Sequence, residues 1–132
     1  MSVDSIGNFL TIIRNGIMVS KPSVDATYSK MAFAIATLMK NEGFVRNVSV
    51  KENAADGRKY IHVELKYVDG ESAIHEITRM SKPSRRMYVG ATTVKPVIGG
   101  LGLSILSTDR GIITHKQAKS LSVGGEILCT IW

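Results

Sequence analysis

Ser107, Asp109 and His115 bring a hydroxyl, a carboxylate and an imidazole within nine positions of one another. Those are the ingredients of a nucleophile relay. The nucleophile-elbow context Gly-x-Ser-x-Gly is missing, since Ser107 stands between Leu106 and Thr108. A small hydrolase using Ser107 and His115 is therefore the less favoured of two readings. The other takes the same loop, Ser107-Thr108-Asp109-Arg110-Gly111, as a surface for nucleic acid. Adjacent hydroxyls are short donors and acceptors able to reach a 2′-hydroxyl, a phosphate or a base edge. Gly124-Gly125 adds backbone amides with no side chain in front of them. RNA is read largely by shape and splayed bases, so small polar groups on a rigid support suit it.

Other chemistry is disfavoured by spacing. Gly99-Gly100-Leu101-Gly102 leads into a strand pattern where a dinucleotide fingerprint requires a helix, and the P-loop lysine is missing. A flexible turn is expected there. His62, His75 and His115 are scattered, so neither a metal site nor a cofactor is expected. Cys129 is the single cysteine, which makes it a small core residue and not a disulfide partner. No apolar run approaches the roughly 20 residues of a membrane span. The opening Met1–Leu10 carries an acid and no basic flank, so no targeting peptide is expected and the cytoplasm is the default location.

The net charge is +6 over 132 residues, and its position says more than its size. Residues 1–76 hold nine Lys/Arg and nine Asp/Glu, whereas residues 77–132 hold eight Lys/Arg against Asp109 and Glu126 alone. The whole surplus thus lies in the second part of the chain. A polyanion-binding lobe needs such a surplus, because phosphate contacts gain free energy by releasing counterions. A basic lobe at 77–132 and a neutral α+β lobe at 1–76 are expected.

Those side chains need elements to hold them. Ile6, Phe9, Leu10, Ile13 and Ile17 form one apolar stripe and predict a helix over 4–19, capped by Asp4 or Ser5. Lys21-Pro22-Ser23 ends it. A second helix is predicted over 30–42, with Ser29 as N-cap, Met31, Ile35, Leu38 and Met39 buried, and Gly43 as the left-handed stop. Strands follow at 44–51 and 59–67, the second alternating cleanly between Ile61, Val63, Leu65, Tyr67 and His62, Glu64, Lys66. Asp69-Gly70 reads as a turn, and 72–79 as extended chain. Beyond a cationic stretch at 79–86, short strands are predicted at Met87–Val89 and Thr92–Val94, then at Leu103–Leu106, Ile112–Ile113 and Glu126–Trp132. Thr114 and Gln117 make a capping box for a short helix to about Leu121. The fold class is α+β: N-terminal helices on a short antiparallel sheet, then a mainly antiparallel β lobe with one short helix.

The run GLGLSILSTDRGIITHKQAKSLSVGGEILCTIW, residues 100–132, resembles the C-terminal signature of the family of the eighth protein of the bacterial small ribosomal subunit. Its glycine-rich lead, Ser-Thr-x-basic-Gly and Gly-Gly-Glu before a final strand are specific. Asp4 to Gly16, Ser29-Lys30 with Glu42-Gly43-Phe44, and Met80-Ser81-Lys82-Pro83 with Arg86-Met87-Tyr88 are similar to the family's two helices and to the segment joining its lobes.

The resemblance implies a non-enzymatic structural protein that binds the central domain of small-subunit ribosomal RNA and supports its assembly. It implies neighbouring small-subunit proteins as partners. For some members it implies repression of their own operon through a messenger site. RNA contacts are then expected from Ser107 and Thr108, from Gly124, Gly125 and Glu126, and from Lys82, Arg86 and Tyr88. A second, more electrostatic contact is expected at Arg14, Ser29 and Lys30. The chain departs from the family pattern at Ser5, where proline is usual, at Asn8, usually aspartate, and at Ser84, usually glycine. It departs also at Asp109, where a small hydroxyl residue is usual and where a carboxylate would sit unfavourably beside phosphate.

Overall fold

A computed structural model describes residues 5–90 and 102–132. The chain divides into two compact units, Met1–Ile74 and His75–Trp132.

In the first unit the apolar stripe forms helix α1 (Ser5–Met18), burying Ile6, Phe9, Leu10 and Ile13. Capping by Asp4 lies outside the described residues. Strand β1 (Ser23–Thr27) follows, an element that the sequence pattern leaves unassigned. It is only five residues long, with just Val24 and Ala26 buried, too little for periodicity to announce. Helix α1 packs on it through Gly16: a Cβ there would stand 2.4 Å from Val24 Cγ1, so only glycine permits this approach.

Ser29 caps helix α2 (Lys30–Asn41), its side chain accepting the Ala32 N–H at 3.1 Å. Gly43 ends the helix with φ +82°. The buried face of α2 is Ala32, Ile35, Ala36 and Met39. Met31, expected inside, is 36% exposed, because the stripe runs through the neighbouring small residue Ala32. Strands β2 (Val45–Glu52) and β3 (Lys59–Leu65) complete an antiparallel sheet of order β1-β3-β2. β3 stops at Leu65, short of the predicted Tyr67, which instead opens a small hairpin of β4 (Tyr67–Val68) and β5 (Glu71–Ser72). Asp69 and Gly70 turn that hairpin with positive φ. The Tyr67 hydroxyl donates to the Lys21 carbonyl at 2.6 Å.

In the second unit β10 (Gly125–Ile131) is the hub. One edge pairs with β8 (Leu103–Thr108), which pairs in turn with β9 (Gly111–Thr114). The other edge is shared, by β6 (Ile77–Arg79) along Cys129–Ile131 and by β7 (Tyr88–Val89) along Gly125–Glu126. All these pairings are antiparallel. Helix α3 (His115–Leu121) starts with both halves of the predicted capping box formed by Thr114 and Gln117, and it packs on β8 and β9. Leu103, Ile105, Leu106, Leu128, Cys129 and Ile131 make the core. Burial pushes the Cys129 thiol up to about 12, so it behaves as an inert core group. The molecule is α+β, as its alternating patterns predicted. The strand at Thr92–Val94 and the turn at Gly99–Leu101 lie outside the described residues.

Candidate nucleic-acid interface

The β7–β10–β8 register sets the geometry. Tyr88 is opposite Glu126, and Glu126 is opposite Ser107. Directly opposed residues of antiparallel strands share a face, so Tyr88, Glu126 and Ser107 form one row across the sheet. Tyr88 is 71% exposed. An outward aromatic ring offers a stacking platform and is not part of the core. Ser107 is half-buried, and its hydroxyl has no hydrogen-bond partner among the described residues.

Thr108 differs from its neighbour. Successive strand residues alternate faces, so the two hydroxyls do not make a single patch. Thr108 Oγ1 donates to the Gly111 carbonyl at 3.0 Å and accepts the Arg110 N–H at 3.0 Å. Its hydroxyl ties off the β8–β9 hairpin, whose exposed tip is Asp109 and Arg110. The unusual carboxylate of Asp109 thus belongs to the hairpin tip and not to the Tyr88–Glu126–Ser107 row.

Gly124 and Gly125 owe their identity to internal packing. A Cβ on Gly125 would stand 2.2 Å from the Ser107 carbonyl oxygen and 2.8 Å from Thr108 Cγ2. A Cβ on Gly124 would stand 2.5 Å from the Val89 carbonyl oxygen. The pair is wedged between β7 and β8, and this close approach holds Tyr88 and Ser107 to either side of Glu126.

Glu126 is engaged within the protein. Its carboxylate accepts hydrogen bonds from the Ser81 hydroxyl and from Arg86 Nη1, the latter at 2.9 Å. Burial by itself would raise its pKa, but the Ser81 and Arg86 hydrogen bonds, with the charges of Arg86 and Arg79, bring it below the ordinary 4.5. Ser81 is only 1% exposed, and its Oγ also accepts the Met87 N–H at 3.2 Å. Between Ser81 and Arg86 the backbone closes a tight turn, Lys82 N–H to Arg85 carbonyl at 2.9 Å and Arg85 N–H to Lys82 carbonyl at 3.0 Å. Lys82, Arg85 and Arg86 on this turn are exposed. Ser81 had no signal of its own in the sequence, since a buried serine and a surface serine look alike.

His115, half of the hydrolase reading, accepts the Ser104 backbone N–H on Nδ1 at 3.2 Å. That bond ties the start of α3 to β8, a structural use of the ring. In the first unit, Arg14 is exposed on α1 and Lys30 is exposed at the first position of α2, while the Ser29 hydroxyl is occupied as the cap. Among the described residues no cluster of His, Cys, Asp and Glu could hold a metal ion.

The second unit thus brings an exposed aromatic, a hydroxyl and a cationic turn to one end of its sheet. The chain belongs to the ribosomal protein S8 family, a structural and non-enzymatic family: the model described as Ribosomal protein S8 matches residues 4–132. It is similar to the small ribosomal subunit protein uS8 of Rhizobium etli (strain CIAT 652), with 41% identity over 129 residues covering 98% of this chain and 97% of that one. It is likewise similar to the protein of the same name from Acidobacterium capsulatum, 42% identical over 130 residues covering 98% and 97%. The Chlamydia pneumoniae relative is 42% identical over 133 aligned residues, covering 100% and 98%.

Proposed function

We propose that the chain is a structural constituent of the small ribosomal subunit that binds the central domain of small-subunit ribosomal RNA directly and supports its assembly in the cytoplasm. The observation that carries this reading is the row Tyr88–Glu126–Ser107 with the exposed Lys82–Arg86 turn bonded to its centre. Stacking on Tyr88, hydrogen bonding by Ser107 and phosphate contact by Lys82 and Arg86 are the three interactions RNA recognition combines. Thr108, Gly124 and Gly125 contribute by shaping this end of the sheet. Arg14, Ser29 and Lys30 make a second contact in which the Lys30 and Arg14 charges act and Ser29 fixes the helix start that carries Lys30. Neighbouring small-subunit proteins are its other partners. The same RNA-binding surface would serve for repression of its own operon by a messenger segment that imitates the ribosomal site.

The test is a filter-binding titration with a hairpin from the central domain of ribosomal RNA and a scrambled hairpin of equal length. Preference for the central-domain hairpin is expected to persist as salt is raised. Equal affinity for the two would sink the reading.

A further inference from the structure

The family resemblance puts Glu126 among the RNA contacts, yet a carboxylate is a poor neighbour for phosphate, and this one is already engaged. Three facts bear on its role. Oε2 accepts both hydrogen bonds, one from a serine almost wholly removed from solvent and one from a half-exposed arginine. The serine's hydroxyl in turn receives the Met87 N–H, so carboxylate, hydroxyl and backbone form a continuous chain. And β10 holds Glu126 in register between Tyr88 and Ser107, so whatever Glu126 grips is fixed relative to both.

An arginine on a free loop would lose its side-chain and backbone freedom on meeting a phosphate. An arginine already held by a carboxylate has given up much of that freedom on folding. The carboxylate also lowers the local positive potential, which weakens non-specific attraction while leaving the guanidinium oriented.

We propose that Glu126 is a positioning residue and not an RNA contact: acting through Ser81 and Arg86, it clamps the Lys82–Arg86 turn to the sheet, so that the Arg86 guanidinium meets RNA phosphate in fixed register with Tyr88 and Ser107. The proposal rests on the RNA-binding reading above for its ligand, but the clamp itself has consequences without RNA.

The experiment therefore has two arms on the full chain. In the first, amide hydrogen exchange is measured in wild type, Glu126→Gln and Ser81→Ala without RNA. Faster exchange of the Met87 and Lys82 amides in both variants, with the Ile105 and Ile131 amides unchanged, is expected, since the core strands do not depend on the clamp. Unchanged exchange at Met87 and Lys82 in both would overturn the clamp, whatever RNA does. In the second arm, hairpin affinity is measured for wild type, Glu126→Ala, Glu126→Gln, Arg86→Ala and the Glu126→Ala/Arg86→Ala double variant. If Glu126 acts through Arg86, Glu126→Ala weakens binding about tenfold in wild type and less than about twofold once Arg86 is gone. An equal loss in both backgrounds would mean that Glu126 touches RNA itself, and would overturn the proposal. Should wild type itself not distinguish the hairpins, the RNA-binding reading fails while the exchange arm still decides whether the clamp exists. Glu126→Gln, which keeps the side chain's shape and one acceptor, guards the second arm against a variant that merely misfolds. It is expected to bind better than Glu126→Ala.

Discussion

At the scale of single residues, two adjacent hydroxyls with the same sequence signal have different jobs. Ser107 shares a face with Tyr88 and has no side-chain partner among the described residues, whereas the Thr108 hydroxyl closes the β8–β9 turn. Ser107→Ala is therefore expected to weaken hairpin binding by about 1–3 kcal/mol with no change in melting temperature. Thr108→Ala should lower unfolding free energy by about 0.5–1.5 kcal/mol in a denaturant titration, because it removes turn hydrogen bonds. Loss of affinity without loss of stability for Thr108→Ala would contradict this division.

Glu126 adds a pH dependence of definite sign. Arg79 in β6 and Arg86 ahead of β7 are the charges facing it, with the Ser81 hydroxyl between them. Its pKa is depressed in the folded chain, so its contribution to stability is present in full above the ordinary 4.5 and is lost as pH falls through the folded value. Wild type should thus lose more stability than Glu126→Gln below about pH 5, with the two curves parallel above it. Parallel curves throughout would show the carboxylate to be uncoupled from folding.

At the scale of elements, what matters is how closely strands approach. Gly125 leaves room for the Ser107 carbonyl and the Thr108 methyl, which a Cβ would meet at 2.2 and 2.8 Å. The nearer of these is backbone, so Gly125→Ala must push β8 away from β10 and not simply rotate a side chain. A stability cost of about 1–3 kcal/mol is expected from overpacking of this kind. Because the shift also separates Ser107 from Glu126, hairpin affinity should fall with it. A stable Gly125→Ala protein with unchanged affinity would show that the β8–β10 spacing is not what the site requires. Ser29 is a second case: it stands in the sequence beside Lys30 as a contact candidate, but its hydroxyl is committed to the α2 N-terminus.

At the scale of the whole molecule, the charge asymmetry is the controlling quantity. The +6 surplus sits after residue 76, and three of the cations there, Lys82, Arg85 and Arg86, share one exposed turn in the second unit. Counterion release predicts that Lys82→Ala reduces the slope of log affinity against log salt by roughly 0.7–0.9, the share of one neutralised phosphate. Ser107→Ala should leave that slope unchanged while lowering affinity at every salt concentration. Identical salt slopes for wild type and Lys82→Ala would place Lys82 away from the RNA.

The sequence by itself determined the α+β class, both long helices, the Ser29 and Thr114 caps, the segregation of charge and the family signature. Each of these is a local or additive property: periodicity, a capping side chain within three residues, a sum of charges. It left β1 unassigned, because Ser23–Thr27 becomes a strand only by pairing with β3 some forty residues away. It put Met31 inside α2, because a pattern of bulky residues outweighs a small one until the neighbour's distance is known. It grouped Ser107, Thr108, Gly124, Gly125 and Glu126 as one kind of residue. Only the register of β7, β10 and β8, with the hydrogen bonds around it, separated them into a half-buried hydroxyl beside Tyr88, a turn tie, two packing glycines and a clamp. Register is fixed by long-range pairing and by the core beneath it, and no single stretch of sequence carries that information.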